Sequence, residues 1–158
     1  MTVGEDTRPP EEGEEGSWSD EDLTDLQQEL RILLPGVQTL TAFLIILPFS
    51  PGFERLDQNE RWVYLATFVC SVSSLVLFTA PAAQHRVERP LLNRVRFKDL
   101  ANRLILIGLV PLSLAIVLVT ELVVSEVGGT TAGIAAAAIA GFLIGLTWWL
   151  IPLSRRGR

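Results

Sequence analysis

The chain has 158 residues, 49% of them hydrophobic, a mean hydropathy of +0.37 and a formal charge of −5. That length leaves no room for a soluble catalytic domain beside the apolar stretches it carries, and the charge is local: 11 of the 18 acidic residues fall in the first 29 positions, while the rest of the chain is net basic. A single cysteine, Cys70, excludes a disulfide framework and a cysteine-rich metal site.

Residues 1–18 are rich in Glu, Gly and Pro and poor in apolar side chains, which predicts a disordered acidic tail, without the positive leader of a secretory signal. From Ser19 the composition changes. Ser19 or Asp20 suits an N-cap, Glu21 and Asp22 suit the positive end of a helix dipole, and Leu23, Leu26, Leu30 and Leu33 recur at three-and-four spacing. An amphipathic cytoplasmic helix is predicted over 19–31.

Four stretches then carry no formal charge: 32–53, 62–84, 104–120 and 127–154. A helix needs about 20 mostly apolar residues to cross the hydrocarbon of a bilayer. The reading is an all-α polytopic membrane protein whose transmembrane domain, 32–153, has spans at about 32–52, 62–84, 104–123 and 130–152, followed by a basic end at 154–158. Arg86, Arg89, Arg94, Arg96, Lys98 and Arg103 lie between spans two and three, and Arg155, Arg156 and Arg158 at the end. The positive-inside rule puts both segments in the cytoplasm, and four spans then put the N-terminus there as well. Trp62, Tyr64, Trp148 and Trp149 near span ends suit interface anchors.

The basic loop is an expected contact for anionic lipid or for the acidic tail, with no nucleic-acid role, since topology alone accounts for its charges. Phe97, Leu100 and Leu104 continue one stripe, so span three is expected to start as a cytoplasmic helix after Pro90. Inside a membrane, close helix packing relies on small residues. Gly133, Ala137, Gly141 and Gly145 supply a four-residue register in span four, and Ala66, Cys70 and Ser74 a weaker one in span two. Pro35 beside Gly36 predicts a kink in span one, with Arg31, Pro35, Gln38 and Ala42 on one face. Gln38 is thus a polar side chain inside the bilayer, expected to pair with another helix or to meet a solute.

The runs Gln28-Glu29-Leu30-Arg31, Gly36-Val37-Gln38, Ala42-Phe43-Leu44 and Leu47-Pro48-Phe49, followed by Ala80-Pro81-Ala82, His85-Arg86 and Ala101-Asn102-Arg103, resemble a family of small bacterial multi-span membrane proteins with a domain of unknown function. The resemblance covers residues 25–125. It implies a short multi-pass protein of the cell membrane with no established activity, although some members carry a sodium:proton antiporter label. Ion exchange needs a titratable group reachable within the bilayer, and the core of no uncharged stretch holds one. The chain shows no Ser-His-Asp set, Cys-His pair, HExxH motif or glycine-rich phosphate loop, so neither enzyme nor cofactor is expected. The favoured expectation is a non-catalytic membrane protein acting through contacts, as a homo-oligomer or an accessory subunit. The alternative is a minimal oligomeric channel or transporter.

Overall fold

The computed structural model describes the backbone of residues 12–87 and 94–151, with the side chains of 28, 30–83 and 100–151. The chain is all helical over that range. Helix α1 runs Glu12–Ile46, two short 3-10 turns follow at Leu47–Phe49 and Phe53–Arg55, and α2 spans Gln58–Val87. Helix α3 covers Arg94–Gly128 and α4 covers Thr130–Ile144, the latter continued by π-helical turns over Gly145–Leu150.

Four helical stretches are long and apolar enough to cross a membrane: Leu30–Phe49, Gln58–Ala83, Leu100–Gly128 and Thr130–Leu150. Their outer surfaces carry Phe43, Val69, Val76, Leu114, Ile139 and Phe142, each about half exposed or more. An apolar surface of that extent is untenable in water and costs nothing in lipid, where tails are as apolar as leucine.

Helix α1 departs from its expected division. It begins at Glu12, inside the segment read as disordered, and continues without a break through 19–31 into the span. Glutamate is a good helix former and is favoured near a positive helix end, which suits Glu12, Glu14 and Glu15 in the first turn. Residues 1–11 lie outside the described residues. Pro35 sits within the helix, where its missing N–H deprives the Arg31 carbonyl of its usual donor.

The end of α1 is set by a second proline. Pro48 has no N–H to give to the Leu44 carbonyl, so the α-helical ladder stops and the chain tightens into the 3-10 turn Leu47–Phe49. Ser50 closes that turn, its N–H and its hydroxyl both donating to the Leu47 carbonyl, at 3.0 and 2.7 Å. Asp57 and Glu60 then form a reciprocal capping box at the start of α2: the Glu60 N–H donates to Asp57 Oδ1 at 2.8 Å, and the Asp57 N–H donates to Glu60 Oε2 at 2.9 Å.

The connection between α3 and α4 is shorter than the expected loop. Helix α3 continues through Glu121 and Glu126 to Gly128, and Gly129 alone separates it from α4. Gly129 has φ 82 and ψ 165, a backbone region open essentially to glycine only. Its N–H donates to the Ser125 carbonyl at 2.9 Å, and its own carbonyl accepts from Gly133 N–H at 3.1 Å. So abrupt a hinge brings the two helices closest at the first turn of α4.

The helices do not close into a square bundle. Helix α2 packs on both α1 and α3, α3 also carries α4, α1 touches α3 only lightly, and among the described residues α4 packs against α3 alone. One core joins α1, α2 and α3 through Val37, Phe78, Ile105 and Leu112; a second, nearer the α1–α2 turn, joins Leu44, Tyr64 and Leu122.

Candidate contact surfaces and an apolar pocket

Two polar pairs join α1 and α2. Thr41 Oγ1 donates to the Val37 carbonyl at 2.8 Å and lies 2.7 Å from Ser71 Oγ. Since the Thr41 proton is committed to a carbonyl, Ser71 is the donor of that interhelical bond. Tyr64 donates its hydroxyl to the Leu44 carbonyl at 2.9 Å, supplying a donor where Pro48 cannot. Its ring stands edge-on to Phe53, 5.1 Å between centroids, and that ring in turn lies 6.0 Å below the Arg61 guanidinium. Thr67 and Ser74 return their hydroxyl protons to the Val63 and Cys70 carbonyls. These hydroxyls fasten helices together and satisfy their own backbone; they do not converge on a site. Among the described residues no three His, Cys, Asp or Glu side chains gather as a metal site requires.

The small residues singled out in span two divide. Ser74 is buried and Cys70 half-buried, whereas Ala66 is exposed. The packed face of α2 is Tyr64, Thr67, Ser71, Ser74 and Phe78, turned slightly from the register 66, 70, 74. Its closest approach is to Gly108 of α3, where an added Cβ would stand 2.6 Å from Phe78 Cε1 and 3.2 Å from Leu77 Cβ. Sequence reasoning passed over Gly108, a lone glycine in an apolar run. The signal that finds it is the largest fully buried side chain, Phe78, on the facing helix.

The span-four register also divides, for a geometric reason. Residues four apart drift by about 40° around a helix of 3.6 residues per turn, so the register winds away from any straight neighbour. Gly133 faces α3 at close quarters: a Cβ there would lie 2.8 Å from both the Glu121 carbonyl oxygen and Ser125 Cβ. Ala137 is half-buried. At Gly141 a Cβ would meet only Val117 Cγ2 at 3.6 Å, an ordinary contact, and at Gly145 nothing within 4 Å. With exposed Ala138, these last two glycines leave a bare flank on α4. From Gly145 the helix widens into its π turns, the Ile151 N–H reaching back to the Leu146 carbonyl.

Arg31, Pro35, Gln38 and Ala42 are all exposed on α1, whose packed side is instead Val37, Thr41 and Leu44. Gln38 lies eight residues into its span, about 12 Å along the helix at 1.5 Å per residue, and its amide has no partner among the described residues. Arg103 is exposed. Of the other basic positions, Arg89 lies outside the described residues, and Arg86, Arg94, Arg96 and Lys98 are described by their helical backbone alone.

One pocket opens at the turn end of the molecule, between α1 with its 3-10 turns and the end of α3. It encloses about 270 Å³ and is lined by Phe43, Leu47, Phe53 and Leu56 on one side and by Leu122, Val123 and Glu126 on the other. Apart from Ser50, whose proton goes to Leu47, Glu126 is its one polar side chain. No motif marks it, because it arises where the α1–α2 turn folds over toward α3.

No curated protein and no solved structure matches the chain. The model of a family of unknown function, DUF6328, matches residues 12–152, which takes in every helix described above, and the chain belongs to that family.

Proposed function

We propose that this is a non-catalytic integral protein of a bacterial cell membrane, with both termini in the cytoplasm, and that it acts by binding another membrane helix, from a second copy or from a partner subunit. The observation that carries this reading is the bare flank of α4 at Ala138, Gly141 and Gly145: among the described residues α4 packs against α3 alone, and these small residues stand where α3 makes at most one ordinary contact, with Gly141. Small residues in a membrane helix allow close backbone approach, which supplies the dispersion contacts that apolar burial cannot. Gln38 supports it, since its amide, without a partner among the described residues, is favoured inside a span only beside protein or water. The reading also takes the basic residues 86–103 to rest on anionic lipid of the inner leaflet, in competition with the acidic tail.

The test is the size of the full chain purified in mild detergent. The wild-type protein should run as a dimer or with one stoichiometric partner, and Ala138→Trp, which obstructs the flank while leaving α3 untouched, should release a monomer of unchanged melting temperature. A wild-type protein monomeric at all concentrations and free of any partner would contradict the reading.

A further inference from the structure

We propose that the turn-end pocket binds one phospholipid with a primary-amine headgroup, the first methylenes of an acyl chain entering between α1 and α3 and the ammonium resting on Glu126. Four observations lead there. The walls are largely apolar and come from the ends of the spans Leu30–Phe49 and Leu100–Gly128 and from the turn that follows the first of them, so the pocket opens at the end of the spans, beside the upper part of the surrounding acyl chains. Its volume of about 270 Å³ is at the small end for a ligand site and admits a length of one chain, not a folded peptide. Glu126 is exposed and has no hydrogen-bond or ion-pair partner among the described residues, and no basic residue lines the pocket beside it. A carboxylate alone at the mouth of an apolar cavity favours a cation with N–H groups to donate. Arg55, lastly, lies in the chain between two lining residues, Phe53 and Leu56; it is exposed, and its guanidinium is without a partner among the described residues, available for the phosphate that accompanies such an amine. An anionic headgroup lacking the amine meets the Glu126 charge unfavourably, and a quaternary ammonium has no proton to give it.

The test uses the full chain in a neutral detergent, titrated with phosphatidylethanolamine, phosphatidylcholine and phosphatidylglycerol of identical acyl chains, with bound lipid counted by native mass spectrometry. Both headgroups carry a cation and differ in the N–H that only the primary amine donates; a charge-assisted hydrogen bond at an exposed site contributes modestly, so phosphatidylethanolamine should be retained about fivefold over phosphatidylcholine. Glu126→Gln should bring that ratio close to one. Val123→Trp, which fills the cavity from an exposed position, should reduce retention of phosphatidylethanolamine with no change in helix content. Equal retention of the two lipids by the wild-type protein, a preference that survives Glu126→Gln, or retention indifferent to Val123→Trp would each overturn the proposal. So would an oligomer that Val123→Trp dissociates while no lipid is held, because the occupant would then be a second copy of the chain.

Discussion

At Gly133 a methyl group would stand 2.8 Å from the Glu121 carbonyl oxygen, a backbone atom that cannot swing aside. At Gly108 it would press on the fully buried Phe78 ring, and at Gly129 the backbone itself, at φ 82, excludes it. Replacing Gly133 or Gly108 by Ala should therefore destabilise the protein in detergent by about 1–3 kcal/mol, as overpacking does. Gly129→Ala should cost a similar amount, about 1–3 kcal/mol, through backbone strain. Gly145→Ala, with nothing within 4 Å, should leave the melting temperature of the monomer unchanged. A Gly145→Ala protein melting as low as Gly133→Ala would show that the register is packed along its whole length. In the sequence Gly133 and Gly145 read as equivalent members of one four-residue register. What separates them is the hinge at Gly129, which holds the helices together at their near ends, and the drift of a four-residue register around the helix; neither is visible as a motif.

Between elements, the contact of α1 with α2 rests on two polar pairs within an apolar interface. Tyr64→Phe leaves the Leu44 carbonyl without the donor that Pro48 lacks, and should cost about 1 kcal/mol, the ordinary net value of a hydrogen bond. A double-mutant cycle on Thr41→Val and Ser71→Ala should return a coupling near 0.6 kcal/mol, the average for such bonds in a membrane protein. Zero coupling would mean that the two hydroxyls do not bond across the interface. The existence of four long apolar helices was legible from the charge-free stretches alone, because a bilayer imposes one length on every span. Which face of each helix packs was not. In α2 the small residues Ala66 and Cys70 and the hydroxyl residues Thr67 and Ser71 offer two neighbouring faces of similar character, and the choice falls to the partner helix, where Thr41 and Gly108 await Ser71 and Phe78. The same holds for α1, where Gln38 drew attention as the most polar residue and Thr41, one turn on, is the one that faces protein.

For the whole molecule, the distribution of Lys and Arg predicts an orientation with both termini in the cytoplasm. In a Cys70→Ala background, single cysteines at Ser17 and Ser154 should resist an impermeant thiol reagent in intact cells, and one at Asn59, in the first turn of α2, should react. Labelling at Ser17 without lysis would invert the assignment. Among the described residues α4 rests on α3 alone, an incomplete packing arrangement that we propose is completed from outside the chain, along Ala138, Gly141 and Gly145. The most direct test is cross-linking in native membranes, again without Cys70. Cysteine at Gly145 or Ala138 should give a cross-linked dimer, or a single adduct with one partner, under a short thiol cross-linker. Cysteine at Ile139, exposed on the opposite flank of the same helix, should give neither. Equal yields from the two flanks, or none from either, would contradict the claim that this protein works through the bare side of α4.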